Sequence, residues 1–466
     1  MRSRLILMML TTNQNLLTEG LKQRRLKLAQ LFKHPVILWS GNFIGRNFPA
    51  NKLPFRASSH FLYFAGIPLQ NAAIRLEAGE LELFIDNPPP ESTLWHGAAP
   101  SRDEIGAAIG AERVYPLTEL ANKTEDAATI AIQDLATYQQ QYRLLNRPIA
   151  LADRAENIDL ELARALVKLR SHQDDLALQE LRHAAQVSVK AHKAGMRATK
   201  NASTEAEIRG AIEAVILSHN MTCAYNSIVT VRGEVLHNES YHNPLSSGDL
   251  LLADVGAETS NGWAADITRT WAVSGKFSST QKDIYAIVLQ AHDDCIAKLK
   301  PGVEYQDIHL LAAEVITEGL VDLGILKGNP QDLVDMDAHA LFFPHGVGHL
   351  LGLDVHDMED LGDVAGYEEG RKRSDRFGLG YLRLNRPLEA GMLVTIEPGF
   401  YQVPAILNDD NFRSKYQDVV NWERLAQFED VRGIRIEDDV LITDAGVEVL
   451  TVELPTEIEE IENLMS

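Results

Sequence analysis

The pattern of apolar and polar residues predicts a mixed first part of the chain. Leucines and a phenylalanine recur on one helical face over about residues 13–33, which predicts an amphipathic helix. Three apolar runs, at 35–39, 61–66 and 80–86, predict buried or half-buried strands. The prolines of 87–92 predict a loop. We therefore expect the first 150 or so residues to form a self-contained α/β unit.

Helical periodicity returns over residues 158–199. The second part of this stretch begins at Ser171, and Asp174 follows three residues later, as in a capping box. Thr204 and Glu207 predict the start of the next helix in the same way.

Further along, strands alternate with helices predicted near 280–298 and 305–322. This mixture, with antiparallel hairpins, favours an α+β fold over a doubly wound parallel sheet. The length of 466 residues also favours two domains. We predict a domain over residues 1–165 and a second over 166–466.

The charge balance narrows the possible partners. The chain has 44 basic and 66 acidic residues, a net charge of −22, which argues against nucleic acid and anionic membranes. Basic residues cluster at 22–27 and 370–376, and we assign both clusters to solvated faces. The acidic stretch 457–463 is predicted to be a solvated, dispensable tail.

Two cysteines, Cys223 and Cys295, do not make a disulfide framework, so we expect a reducing, cytoplasmic location. No apolar run reaches the length of a membrane span. The first residues contain a short apolar run without a small-residue cleavage site, which argues against a signal peptide. We expect the true start to lie at Met8 or Met9.

Two aspartates are placed on neighbouring strands. Asp254 continues an apolar strand face, and a second strand brings Asp266 close to it. A lone aspartate of this kind is more often paired with an arginine, but two close carboxylates favour a cation because they repel each other. A two-residue turn at Asn261-Gly262 would set Asp254 opposite Arg269 and turn Asp266 away. A shared site therefore requires a bulge or a longer loop.

The histidines of HGVGHLLGLDVHD are the next candidates. His345 and His349 have the spacing of a helical zinc motif, but the glycines disfavour a helix and Gly346 replaces the glutamate that such a protease needs. We therefore expect a loop or strand that presents one of them as a ligand. His356 could be a core histidine or a functional one.

Two glutamates complete the set. Glu397 ends an apolar strand, and Glu437 shares a strand face with Arg435, with which it could form a salt bridge. Four carboxylates and one neutral imidazole are hard ligands suited to two divalent cations. The candidate ligands are Asp254, Asp266, His349, Glu397 and Glu437.

The wording and order of these segments resemble a known family. DVGAE, DITRTWAVSGKF, HGVGHLLGLDVHD, LEAGMLVTIEPGFY and GIRIEDDVLIT resemble the proline-specific metallopeptidases, aminopeptidase P and the Xaa-Pro dipeptidases (prolidases). LPFRASSHFLYFAG and LWHG resemble the amino-terminal domain of aminopeptidase P. The resemblance implies a pita-bread catalytic domain preceded by a smaller α/β amino-terminal domain. Ala272 departs from the proline that is usual in the family.

The resemblance also implies the metal roles. Asp266 and Glu437 would bridge two metal ions, Asp254 would bind one, and His349 and Glu397 would bind the other. Manganese is the usual metal in the family.

Further roles follow from the same resemblance. Glu397 would pass a proton to the leaving nitrogen, and His345 and His356 would steady the substrate and the developing oxyanion. His237 would line the pocket, with His242 as a competing candidate.

The implied substrates are proline-containing peptides, and family habit implies a homodimer or a larger homo-oligomer. Arg435 and Arg383 would pair with carboxylates, and Arg383 resembles the prolidase residue that receives the terminal carboxylate of the substrate. The amino-terminal segment favours an Xaa-Pro aminopeptidase, whereas the long stretch 402–429 favours a dipeptidase. A catalytically inactive binding module is a third alternative, disfavoured because all five ligands are present.

Overall fold

The computed structural model describes residues 14–466, so the predicted start at Met8 or Met9 lies outside the described residues. The described chain forms two compact units. The first contains the residues up to Ser171 together with Met358–Ala365, and the second contains His172–Asp357 and Gly366–Ser466. The predicted domain boundary after residue 165 lies six residues before the end of the first stretch and stays a prediction.

The first unit is built on a four-stranded sheet in the order β1 (Val36–Trp39), β2 (Ala73–Glu77), β3 (Glu80–Phe84), β4 (Arg113–Tyr115), antiparallel except for the parallel pair β3 and β4. Its buried core includes Ile37, Trp39 and Phe84. The elements are α1 Gln14–Leu31, β1 Val36–Trp39, α2 Ser59–Ala65, β2 Ala73–Glu77, β3 Glu80–Phe84, α3 Ser92–His96, α4 Arg102–Ile109, β4 Arg113–Tyr115, α5 Leu135–Leu145 and α6 Asn157–Arg170, with 3₁₀ turns at Leu117–Asn122, Ala152–Arg154 and Glu359–Leu361.

The strand predicted at 61–66 is wrong, because these residues belong to helix α2. Every side chain from Ser59 to Ala65 is buried, so the segment has no polar face from which a period of two or 3.6 could be read. Gly66 ends the helix in the left-handed conformation, with φ 71°, and its N–H donates to the Leu62 carbonyl.

The basic cluster 22–27 is not wholly solvated, because Arg24 and Arg25 are buried. Arg24 donates to the Tyr63 carbonyl at 2.9 Å, and Arg25 donates to the Gly110 carbonyl at 2.7 Å. These carbonyls lie in or just after the last turns of α2 and α4, where helices leave acceptors unsatisfied. Burial lowers the pKa of Arg25 to about 10. A one-dimensional charge pattern could not show that the helix buries this face.

The second unit contains two helix pairs, α7 (Asp175–Thr199) with α8 (Glu205–Ser218) and α9 (Ser279–Lys298) with α10 (Tyr305–Asp322), and short antiparallel sheets. One three-stranded sheet has the order β6 (Ile228–Thr230), β7 (Leu250–Asp254), β9 (Thr268–Ala272), and another has the order β10 (Leu393–Ile396), β13 (Asp438–Thr443), β14 (Gly446–Val449). The α+β prediction is confirmed. Among the described residues, no helix has both the length and the apolar character needed to cross a membrane.

The elements of the second unit, with α12 at its junction with the first, are α7 Asp175–Thr199, α8 Glu205–Ser218, β5 Thr222–Cys223, β6 Ile228–Thr230, β7 Leu250–Asp254, β8 Ala257–Glu258, β9 Thr268–Ala272, α9 Ser279–Lys298, α10 Tyr305–Asp322, α11 Pro330–Asp335, α12 Asp363–Gly366, β10 Leu393–Ile396, β11 Gly399–Tyr401, α13 Pro404–Leu407, α14 Asp410–Lys415, α15 Trp422–Leu425, β12 Gly433–Arg435, β13 Asp438–Thr443, β14 Gly446–Val449 and α16 Ile458–Met465, with 3₁₀ turns at Ala338–Leu341 and Ala426–Phe428. The helices predicted near 280–298 and 305–322 are confirmed as α9 and α10.

The capping box predicted at Ser171 is wrong. The Ser171 hydroxyl donates to the Val167 carbonyl at the end of α6, whereas Asp174 caps α7 and accepts from the Ala177 N–H at 2.9 Å. The aspartate fits this position because its carboxylate accepts from a free N–H at the positive end of the helix. The next helix, α8, begins directly after Thr204, as predicted.

The acidic stretch 457–463 is not a free tail. It lies largely in helix α16, which packs against α7. Ile461 is fully buried, and the carboxylate of Glu462 accepts from Lys276 at 2.6 Å and from the Phe277 N–H at 3.1 Å. The two apolar side chains among the acids place one face of the helix against the protein.

Candidate active site

A hairpin with a longer loop presents both aspartates on one face. Asp254 pairs with Thr268, so Asp266, two residues before Thr268, faces the same side. The register is set by a three-residue loop, 260–262, in which Gly262 has φ 91°. The predicted loop correction is therefore confirmed.

Tyr225 joins the two aspartates and was missed by the sequence analysis. Its hydroxyl lies 2.6 Å from Asp254 Oδ1 and 2.5 Å from Asp266 Oδ1. Burial, with Asp254 next in importance, raises the pKa of Tyr225 well above its usual value. The phenol therefore keeps its proton, which it can donate to one of the two carboxylates at a time, and its oxygen lies between them.

His349 lies in a loop, as predicted, and its orientation suits metal binding. Its Nδ1 lies 3.0 Å from the Leu350 carbonyl, which can only accept, so Nδ1 carries the proton. The lone pair is then on Nε2, which lies 3.4 Å from Asp266 Oδ2 and 3.8 Å from Glu397 Oε1. A hydrogen bond of this kind fixes the tautomer of metal-binding histidines.

Glu437 lies between β12 and β13 and accepts from the Thr268 hydroxyl at 2.7 Å. Ligand atoms of Asp266, His349 and Glu437 all lie within 4.8 Å of one another, and the three residues are buried. Burial is the main cause that raises the pKa of Asp266, Glu397 and Glu437, and neighbouring carboxylates raise it further. A divalent cation would offset both the burial of these carboxylates and their mutual repulsion, so the donor set fits such an ion.

Arg435 is buried and forms its close ion pair with Asp254, at 2.5 Å, rather than with Glu437. It also donates to the Tyr401 hydroxyl at 2.9 Å, and its Nε lies 4.0 Å from Glu397 Oε2. The simpler reading of Asp254 as an aspartate paired with arginine is thus partly correct. Arg435 therefore holds this candidate ligand in place.

The His345 ring is neutral, and hydrogen bonds at both of its nitrogens fix its orientation. Its Nδ1 donates to the Gly346 carbonyl at 2.8 Å, so its Nε2 accepts from the Tyr401 hydroxyl at 2.9 Å. Burial, followed by the charge of Arg435, lowers the pKa of His345 to about 3. The same Nδ1 lies 3.7 Å from Glu397 Oε2.

One cavity of about 510 Å³ brings the predicted residues together. All of them line it: Asp254, Asp266, His349, Glu397, Glu437, His237, His345, His356, Arg383 and Arg435. The His356 ring lies 4.3 Å from the His349 ring. A neighbouring cavity of about 290 Å³ shares Asp254, Asp266, His237 and His356.

The competing candidate, His242, is not among the described residues that line either cavity. Arg373, Phe377, Tyr381 and Ile406 also line the larger cavity, and the sequence analysis missed them. Arg373 belongs to the second basic cluster, so the assignment of that cluster to a solvated face is incomplete.

Comparison with known proteins gives the family. Residues 179–444, more than half of the chain, match metallopeptidase family M24. The chain belongs to this family. Residues 21–132 match the N-terminal domain of aminopeptidase P.

Relatives within the M24 family carry two functional names. A probable Xaa-Pro aminopeptidase of Fusarium vanettenii is 35% identical over 428 residues, which cover 89% of this chain and 88% of the relative. The human Xaa-Pro dipeptidase is 31% identical over 443 residues, which cover 92% and 88%. The structure of Pseudomonas aeruginosa aminopeptidase PepP superposes with a TM-score of 0.79 at 28% identity, covering 96% of this chain and 98% of that one. The pita-bread fold behind an amino-terminal domain is therefore confirmed.

Proposed function

We propose that this protein is an Xaa-Pro aminopeptidase, a hydrolase that cleaves the bond between an N-terminal residue and a following proline. The observation that carries the proposal is the buried cluster of Asp266, His349 and Glu437 on the floor of a large cavity. The relatives named Xaa-Pro aminopeptidase support it. The Xaa-Pro dipeptidase remains the alternative, because a relative of that name matches nearly the whole chain. An inactive binding module is disfavoured because all five candidate ligands face the cavity.

The metal site is proposed to hold two divalent ions, most suitably Mn²⁺. Asp266 and Glu437 would contact both ions, Asp254 one, and His349 with Glu397 the other. Oxygen-rich ligation with a single imidazole suits manganese. When bound, the ions would lower the pKa of a water molecule and position it for attack on the peptide carbonyl.

The surrounding residues complete the proposed chemistry. Glu397 is the only one of the five candidate ligands that is half-buried rather than buried, so we propose that it passes a proton to the leaving nitrogen of proline. His356 and His345 would contact the substrate and the developing oxyanion, and His237 would line the pocket. Arg383 and Arg435 would face carboxylate groups, although two nitrogens of Arg435 already contact Asp254 and Tyr401.

We also propose a cytoplasmic location, since both cysteines are free thiols, Cys223 half-buried and Cys295 buried. A homodimer or larger homo-oligomer is proposed from the habit of the family. Sedimentation of the purified protein measures this directly.

Removal of metal is expected to abolish hydrolysis of Xaa-Pro peptides, and added Mn²⁺ is expected to restore it. The reason is the number of buried carboxylates, which repel one another without cations. Elemental analysis of the purified protein should give about two divalent ions per chain. Metal-free protein with full activity in the presence of chelator would exclude this function for the cluster.

Peptides longer than the dipeptide are expected to be cleaved at least as well as Xaa-Pro itself. Of the stretch 402–429, only Ile406 lines the cavity among the described residues. We therefore propose that the stretch lies beside the cavity rather than across it. The measurement is kcat/KM for Ala-Pro, Ala-Pro-Leu and Ala-Pro-Leu-Gly. A strong preference for Ala-Pro that collapses on Arg383→Ala would instead identify a dipeptidase.

A further inference from the structure

The cavity runs from a buried floor to an exposed mouth. Four of the five candidate metal ligands on the floor are buried, and the Glu397 side chain is 17% exposed. Four further lining residues, Arg373, Phe377, Tyr381 and Arg383, come from residues 373–383, which we call the mouth segment. Arg373 and Tyr381 are exposed there, and Phe377 and Arg383 are half-buried. A peptide whose scissile bond lay at the floor would therefore meet the more exposed side chains of the mouth segment with its remaining residues.

The mouth is positively charged. All carboxylates among the described lining residues belong to the floor, whereas the mouth segment contributes Arg373 and Arg383 to the lining. This is notable in a chain of net charge −22. Two guanidinium groups at the exit of a cavity favour an anionic group on the bound molecule, because arginine pairs well with carboxylates.

Arg373 is held in a defined position. Its Nη1 donates to the Leu382 carbonyl at 3.1 Å, and its guanidinium lies 5.2 Å from the centre of the Tyr367 ring. Tyr367 is buried, and its hydroxyl donates to the same carbonyl at 2.8 Å. Leu382 directly precedes Arg383, so the guanidinium of Arg373 lies next to the backbone that carries Arg383. An anchored cation loses less conformational freedom when it binds a ligand.

The mouth also has an apolar wall. Phe377 stacks on Phe412, with ring centroids 4.6 Å apart and an angle of 23° between the rings. Phe412 belongs to α14, and Ile406, from α13, lines the same cavity. Phe377 and Ile406 can therefore contact aliphatic parts of a peptide beside the guanidinium groups.

We propose that the mouth segment is a subsite for the residue that follows proline, in which Arg373 binds a carboxylate carried by that residue. The substrate class is then the Xaa-Pro-Yaa peptide with a carboxylate on Yaa, either its free C-terminus or an acidic side chain. Arg383 keeps its proposed place for the carboxylate of an Xaa-Pro dipeptide. The proposal rests on the proposed function and deepens it.

The test compares Ala-Pro-Leu with its C-terminal amide. The wild-type protein is expected to show a kcat/KM about fivefold higher for the free acid, the upper end for an exposed ion pair. Arg373→Gln is expected to abolish the preference for the free acid by raising KM for the acid alone. Arg373→Lys is expected to retain part of this preference. The matched control is Lys372→Gln, which removes one positive charge from an exposed neighbour that does not line the cavity and should leave the ratio unchanged.

A second pair of substrates separates the two sources of the carboxylate. Ala-Pro-Glu-amide and Ala-Pro-Gln-amide differ only in a side-chain charge. A preference for the glutamate peptide that depends on Arg373 assigns the site to an acidic side chain as well, and equal rates restrict it to the free C-terminus. Wild-type ratios near one for both pairs, or ratios that Arg373→Gln leaves intact, would overturn the subsite.

A binding measurement separates this proposal from the proposed function. Calorimetry of Pro-Leu and its amide needs no turnover, so it tests the subsite even if no Xaa-Pro peptide is hydrolysed. Arg373→Gln is expected to weaken Pro-Leu binding about fivefold and to leave the amide unchanged. Equal binding of Pro-Leu and its amide would leave only an acidic side chain as the ligand of Arg373, and equal binding of Pro-Glu-amide and Pro-Gln-amide as well would refute the role of Arg373.

Discussion

Replacement of Glu437 by glutamine is expected to lower kcat for Xaa-Pro peptides by about 10³-fold or more, with loss of bound metal. Glutamine keeps the shape of the side chain but removes its charge, and Glu437 lies in the cluster formed with Asp266 and His349. Its contact with the Thr268 hydroxyl can persist, because the amide oxygen still accepts. Asp266→Asn is expected to have an effect of the same size. The measurements are kcat and the metal content of each purified variant.

The stability of the metal-free variant separates a lost ligand from a damaged fold. Burial and neighbouring carboxylates raise the pKa of Glu437 well above its usual range, so a charge at this position is costly without a cation. The metal-free Glu437→Gln protein should therefore have a Tm no lower than the metal-free wild type. Glu448→Gln is the matched control, because Glu448 forms a partly exposed pair with Arg182 outside both cavities. Retained metal and normal kcat in Glu437→Gln would remove this residue from the proposed site.

The hairpin of Asp254 and Asp266 could be predicted from the sequence because two local signals conflicted. Alternation fixed the face of Asp254, while a two-residue turn would have sent Asp266 to the other side. A bulge or a longer loop was therefore required to bring both aspartates to one site, and the structure contains the longer loop. In contrast, helix α2 could not be separated from a strand, because all its side chains are buried. A local sequence pattern indicates the type of secondary structure where one face of the element is polar, and it gives no indication where every face is buried.

Most of the residues that surround the candidate ligands could not be predicted from the sequence. Tyr225 has no charge and no periodic neighbours, and its role depends on which strands meet in space. Arg25 was read as a surface charge because a basic cluster in the sequence does not reveal what packs over it. The same reading of Arg373, which is exposed, missed that this residue lines the cavity. The candidate ligands were easier to find because each is a charged or titratable group inside an apolar segment, which requires a partner.

His356→Ala is expected to lower kcat by about 10²–10³-fold while the metal content stays unchanged, the effect of losing one donor to the developing oxyanion. His356 lines both cavities and its ring lies 4.3 Å from the His349 ring, yet it is not one of the five candidate ligands. His242→Ala is the matched control, since His242 is exposed and lines neither cavity in the described chain. Near-normal kcat in folded His356→Ala protein would mean that His356 only packs against His349. A loss of metal with the loss of activity would mean that it supports His349 as a ligand instead of acting on the substrate.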